Sequence, residues 1–269
     1  MNILDKIIAD KRIEVQQKKE ILNESVLTNM DAFAEECISL KTSLLEETSS
    51  GIIAEFKRKS PSKGWINENA EVADIVTDYM IYGATGISVL TDENYFGGLL
   101  DDLQMSRRIF KGPILRKDFI IDEYQVVESK SFGADVILLI AACLTRQQTK
   151  TLASKAHDLG LEVLLEIHDE TELDHISEPV DIVGINNRNL KTLEVEIETS
   201  IRLAEQIPAD KLKISESGIG SVEDILLLKQ HGFKGFLIGE NFMKEADPGL
   251  AFEEFVNALK LAPPHAEGF

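Results

Sequence analysis

The chain has 269 residues, 43% of them hydrophobic, enough for one large core or two small ones. Against 28 lysines and arginines stand 47 aspartates and glutamates, and the resulting net charge of −19 excludes a nucleic-acid or anionic-membrane surface as the main function. Two cysteines, Cys37 and Cys143, lack CxxC spacing and suggest neither a zinc site nor a disulfide framework.

Asp5 and Asp10 interrupt the apolar N-terminus, which does not read as a signal peptide. No apolar run approaches the roughly 20 residues of a membrane helix, so a cytoplasmic protein is expected. Residues 3–22 interleave Ile3, Leu4, Ile7, Ile8, Ile13, Val15, Ile21 and Leu22 with charged side chains, which predicts an amphipathic helix. A second helix is expected over 31–39, capped by Asn29 or Asp31. Thr48, Ser49, Ser50 and Gly51 break the pattern, so residues 1–50 read as a helical preface apart from the rest of the chain.

From Gly51 onward one unit repeats: a short β-rich run, a polar loop, then a helical pattern. The runs are 52–57, 87–91, 114–117, 136–141, 162–167, 182–186, 212–216 and 235–239. Amphipathic segments lie between them at 73–82, 123–132, 146–159, 170–176, 199–206, 222–230 and 250–259, and Gly83, Gly133, Gly160 and Gly232 stand where helices should stop. Eight such units in roughly 210 residues predict an α/β fold of the (β/α)8 TIM-barrel type over 51–262. No GxGxxG follows the first run, which argues against dinucleotide binding. Residues 263–269 read as a flexible tail.

Chemistry in such a barrel sits at the C-terminal ends of the strands. The first run ends in Glu55 and Lys57 on one face, the third in Lys117, the fifth in Glu166, the sixth in Asn186 with Arg188 close behind, and the seventh in Glu216. Any one of these could be a surface charge or a helix cap. Six at strand ends point instead to acid–base chemistry, in which neighbouring charges tune each other's proton affinity. Lysines suit such work if the barrel mouth depresses their pKa. Residues 217–220 and 238–241 form glycine-containing loops leading into helices, where backbone N–H groups can cradle phosphate. The densest basic cluster of this acidic chain, Lys57, Arg58, Lys59 and Lys63, lies just where the first run ends and reads as a cover for an anionic ligand. The five histidines (His157, His168, His175, His231 and His265) form no metal constellation and are expected to be structural or solvated.

The stretch Ile53-Ala54-Glu55-Phe56-Lys57-Arg58-Lys59-Ser60-Pro61-Ser62-Lys63-Gly64 closely resembles the signature of the indole-3-glycerol-phosphate synthase family. So do residues 90–98, 115–119, 165–166, 184–190 and 215–219, and the resemblance spans nearly the whole chain. It implies ring closure of 1-(2-carboxyphenylamino)-1-deoxyribulose 5-phosphate with loss of carbon dioxide and water, in tryptophan biosynthesis, without metal or organic cofactor. By position it implies that Lys117 is the general acid at the ketone oxygen and that Glu166 handles the proton of dehydration. Lys57 would bind the substrate carboxylate and donate a proton, Glu55 and Asn186 would orient, and Glu216 would support. Backbone amides of Ser217, Gly218, Gly239 and Glu240 would hold phosphate, and the Glu240 carboxylate can point outward if only its backbone N–H meets phosphate. Phe96, Leu115 and Phe119 would wall the anthranilate ring, and Ser60, Arg188 and Leu190 would also meet substrate.

The family is often monomeric, so a monomer without nucleic-acid or membrane partners is expected. Phosphoribosylanthranilate isomerase, another phosphate-binding barrel, would be expected to carry a cysteine at the end of the first strand, where this chain has Glu55 and Lys57. A catalytically silent binding barrel would be expected to have lost the strand-end residues, all of which are present.

Overall fold

Eight parallel strands close on themselves in this computed structural model, which describes residues 3–189 and 192–262. In chain order they are β1 (Ile52–Phe56), β2 (Gly86–Leu90), β3 (Ile114–Lys117), β4 (Val136–Ile140), β5 (Glu162–Ile167), β6 (Ile182–Asn186), β7 (Leu212–Glu216) and β8 (Gly235–Ile238). Each pairs with its neighbours in sequence and β8 returns to β1, so the barrel sheet has no free edge. These are the runs expected from sequence, to within one residue at either end.

Helices fill the connections, among them Val72–Tyr82, Leu100–Ile109, Glu123–Ser131, Arg146–Asp158, Val222–Gln230 and Pro248–Leu261. Gly83 ends the first of these with a left-handed φ of 94°, a conformation that a side chain would make costly. Between β5 and β6 the expected helix over 170–176 is only the 3-10 turn Glu170–His175, capped by Asp169.

The period of two along each strand divides the core. Ile53, Leu115, Leu138, Leu164, Ile182, Ile214 and Leu237 pack inside the barrel. Ala54, Val89, Ile137, Leu165, Val183 and Phe236 face the helices in a second, larger cluster. One pleat further towards the strand ends, the inward positions of β1, β3, β5 and β7 turn polar, at Glu55, Lys117, Glu166 and Glu216, and that change of character makes the site.

The N-terminal fifty residues seal both ends of the barrel. Helix α1 (Ile3–Ile21) buries Ile7, Ile8, Lys11 and Val15 while Ile13 and Ile21 stay exposed. Its Lys11 Nζ stands 2.8 Å from Asp92 and 3.0 Å from Asp118, at the outlets of β2 and β3.

The helix expected over 31–39 is instead a 3-10 turn, Asp31–Ala34, followed by extended chain and the helix Leu40–Leu45. Neither Asn29 nor Asp31 caps a helix there. Ser39 does, accepting from Thr42 N at 2.9 Å. The helical period is cut because the chain must reach the barrel floor. Ile38 N donates to Asp135 (2.8 Å), Leu40 N donates to Glu162 Oε2 (2.8 Å), and Leu40 and Leu44 join the interior core. Leu190 and the tail 263–269 lie outside the described residues.

Candidate active site

A cavity of about 440 Å³ opens at the C-terminal end of the strands. On its wall Lys117 Nζ stands 3.1 Å from Glu166 Oε2 and 2.6 Å from Glu216 Oε2. Lys57, the residue after β1, turns back so that Nζ lies 2.8 Å from Glu55 Oε1, while Glu55 Oε2 accepts from Ser88 Oγ at 3.3 Å. Gly239 leaves room for this carboxylate: a Cβ there would meet Glu55 Oε1 at 2.7 Å.

The expectation of a depressed lysine pKa is corrected at Lys117. Burial alone would lower it, but Glu216, Glu166 and Glu55 outweigh burial and raise it, so the ammonium persists. Burial likewise works against the charge of Glu55, yet Lys57 and Lys117 hold its pKa below the usual range. The two carboxylates on Lys117 part company. Glu166 is held low, against burial, by Lys117, His168 and a hydrogen bond from Asn186. Glu216 is pushed up to about 7 by burial, the Lys117 contact being insufficient to offset it. Its buried Oε1 has no hydrogen-bond partner among the described residues, which explains the direction.

Asn186 Oδ1 accepts from Arg188 N at 3.0 Å, which leaves the amide NH2 for Glu166. Of the histidines expected to be structural or solvated, His168 is not solvated. Its ring lies between Glu166 and Glu172, 3.2 Å from each. Period-two alternation puts it on the face of Glu166, two residues on, but a histidine just past a strand end gives no reason by itself to weigh that.

The glycine loops line the same cavity, at Ser217, Gly218, Gly239 and Glu240. Ser217 (φ 66°) and Gly218 (φ 76°) are both left-handed, and a Cβ on Gly218 would meet Val195 Cγ1 at 2.3 Å. Not all of this turn is open to an anion. Asp224 Oδ2 accepts from Gly220 N and Ser221 N, each at 2.9 Å, as part of the cap of Val222–Gln230. The Glu240 carboxylate pairs with Lys63 and lies 3.6 Å from Arg188 across the cavity rim.

The basic cluster is also less uniform than its sequence. Arg58 turns away to clasp Asp102 (2.6 and 2.9 Å) and Gly97 O (3.1 Å), a structural anchor. Lys59–Ser60 pairs antiparallel with Gly64–Trp65, so the expected cover is a short hairpin. Its Ser60, Pro61, Ser62 and Lys63 line the cavity.

Phe96 and Phe119 form an apolar wall, their rings 6.1 Å apart. Leu115 does not share it. One pleat below Lys117, it is fully buried in the barrel interior. The cavity also takes in Ile3, Leu4 and Ile7 of α1, so the helical preface is not separate from the site.

The family model described as "Indole-3-glycerol phosphate synthase" matches residues 4–255. An indole-3-glycerol phosphate synthase from Bacteroides thetaiotaomicron is 48% identical over 259 residues, 96% of this chain and 99% of the relative. One from Bordetella pertussis is 41% identical over 260 residues, 95% of this chain and 99% of the relative. Among solved structures, 3-hexulose-6-phosphate synthase from Salmonella typhimurium overlays with a TM-score of 0.61 at 15% identity, covering 78% of this chain and 98% of that one. A chain of the tryptophan synthase complex from Pyrococcus furiosus gives 0.58 at 15%, covering 79% and 98%. These two likenesses speak for the barrel fold alone.

Proposed function

The chain belongs to the indole-3-glycerol phosphate synthase family, and from that premise we propose how its barrel mouth performs the reaction. The enzyme is a carboxy-lyase of tryptophan biosynthesis. It closes the ring of 1-(2-carboxyphenylamino)-1-deoxyribulose 5-phosphate and releases carbon dioxide and water, giving indole-3-glycerol phosphate.

Lys117 is the general acid. As the carboxyl-bearing ring carbon attacks the ketone carbon, its ammonium protonates the ketone oxygen, and loss of carbon dioxide restores the aromatic ring. A lysine held charged by three carboxylates is a constant donor, and the alkoxide forming beside it is basic enough to take the proton. Lys57 binds the substrate carboxylate and supplies the proton that turns the departing hydroxyl into water. Glu166, held ionised, accepts the proton that the neighbouring carbon gives up. Glu55 and Asn186 orient these groups, and Glu216 exchanges a proton with Lys117 between turnovers. Amides of Ser217, Gly218, Gly239 and Glu240 meet the phosphate, joined by Arg188 and Ser60 at the rim, while Phe96 and Phe119 flank the anthranilate ring.

One observation supports this reading most: a single ammonium touches two buried carboxylates of opposite pKa tendency in one cavity wall. The test mixes purified protein with the carboxyphenylamino-deoxyribulose phosphate and follows indole fluorescence without added metal. Product formation that Lys117→Ala abolishes is expected, and no product from the wild-type enzyme would sink the reading.

A cytoplasmic monomer with neither metal nor organic cofactor completes the proposal. The net charge of −19 supports a solvated, self-repelling surface, and among the described residues no helix is long and apolar enough to cross a membrane. Sedimentation at micromolar concentration checks the monomer; a dimer mass would refute it.

A further inference from the structure

We propose that His168 is a positioning residue whose imidazolium, wedged between Glu166 and Glu172, holds the Glu166 carboxylate in place as a base. The inference rests on the proposed role of Glu166 as the acceptor of the dehydration proton. His168 follows β5 on the face of Glu166, and its side chain is only 9% exposed. Nε2 stands 3.2 Å from Glu166 Oε1, an ion-pair contact shielded from solvent, and makes no well-aligned hydrogen bond to any described group. Nδ1 stands 3.2 Å from Glu172 Oε2, the same oxygen that accepts from the His168 backbone N–H at 2.7 Å. Glu172 thus grips both the main chain and the ring of one residue, so the ring cannot swing out of line.

A neutral imidazole would aim a lone pair at one of these two carboxylates, whereas the doubly protonated ring satisfies both. Burial opposes the charge, but Glu166 and Glu172 outweigh it and carry the ring to about 10. Cys143, near both glutamates, is kept a neutral thiol by burial and by their charge, and the pKa of His175, near Glu172, is lowered by burial against that carboxylate. Each Glu166 oxygen therefore has its own cation, Oε1 facing His168 and Oε2 facing Lys117. This breaks the near-symmetry of the two carboxylates on Lys117. Glu166, with two cations and Asn186, stays ionised, and any shared proton goes to Glu216, whose second oxygen has no hydrogen-bond partner among the described residues. Without His168 both would compete for the proton.

The test uses the full-length enzyme and the variants His168→Asn, His168→Gln and Glu172→Gln. In His168→Asn, kcat should fall about tenfold or more with KM changed less than about twofold, because orientation and not substrate contact is lost. His168→Gln should behave in the same way. The acid limb of the kcat/KM profile should move up by about one pH unit, since removing a cation next to a carboxylate raises its pKa. Glu172→Gln should move the limb the same way by less. Independently of turnover, nitrogen-15 NMR of the wild-type enzyme at pH 8 should show both His168 ring nitrogens protonated. A neutral ring at pH 8, or a folded His168→Asn variant with unchanged kcat and unchanged acid limb, would overturn the inference. A protonated ring alongside a fully active Glu166→Gln variant would overturn the role of Glu166, and the positioning role with it.

Discussion

Gly184 of β6 faces Glu216 of β7 so closely that a Cβ on the glycine would stand 2.2 Å from Glu216 Oε1. The glycine is therefore part of the site although it carries no functional group. Gly184→Ala must push the carboxylate off Lys117. The expected result is a stability loss of about 1–3 kcal/mol from overpacking and a kcat lowered about tenfold or more by misplacement. Shortening the carboxylate as well, in Gly184→Ala with Glu216→Ala, should restore the stability and not the activity. Urea melts and steady-state kinetics on the single and double variants decide it; a fully active Gly184→Ala shows that the carboxylate does not need that position.

Lys117→Ala removes the donor and leaves Glu55, Glu166 and Glu216 facing one another. Turnover should fall by about a hundredfold to ten-thousandfold, while inorganic phosphate, which the proposal seats at the loops after β7 and β8, should still bind with nearly unchanged affinity. Near-normal turnover in the folded variant refutes the assignment of the acid.

Glu216 gives stability a particular pH dependence. Its pKa in the folded chain is raised from 4.5 to about 7, so its contribution is fully present below 4.5 and is lost as pH rises through about 7. Wild-type stability should carry this decline between pH 4.5 and 7, and Glu216→Gln should lack it. Denaturant midpoints for both proteins at pH 5 and pH 8 provide the comparison; parallel changes in the two rule the raised pKa out.

Glu240 pairs with Lys63 and Arg188, the cations that an incoming phosphate would meet in the proposed reading. Its pKa is lowered, against partial burial, chiefly by Lys63, so it is a carboxylate at neutral pH. Because Lys63 is largely exposed, the competition is modest. Glu240→Ser should lower KM by about two- to fivefold and weaken its salt dependence. A KM that rises instead means that the carboxylate helps to hold the substrate.

Lys11 is buried among Glu14, Asp92 and Asp118. Lys11→Met leaves Asp92 and Asp118 without that cation, at a cost of about 3–5 kcal/mol. Hydrogen exchange should then show α1 opening, with KM raised because Ile3, Leu4 and Ile7 leave the cavity wall. Unchanged protection of α1 shows that its apolar face suffices.

Much of this architecture is legible in the chain itself, for physical reasons. Buried parallel strands read as apolar runs, and a polar residue ending such a run has few reasons to be there, which is why Lys117, Glu166 and Glu216 stand out. The rest depends on distances in space. Nothing in the sequence near Lys11 points to Asp118, and the pairing that turns Arg58 away to Asp102 is equally remote. Leu115 is on the right face but at the wrong depth, because alternation fixes the side of a strand and not the height of the cavity floor. The helix expected over 31–39 fails because the local pattern cannot register that Asp135 and Glu162 hold this segment extended.

Both partners of Lys11 within the barrel are made long after α1 leaves the ribosome, since one follows β2 and the other follows β3. Helix α1 is therefore seated through Lys11 only once the ends of β2 and β3 supply these carboxylates. The same contacts make α1, which lines the cavity through Ile3, Leu4 and Ile7, depend on the outlets of β2 and β3 for its place at the mouth.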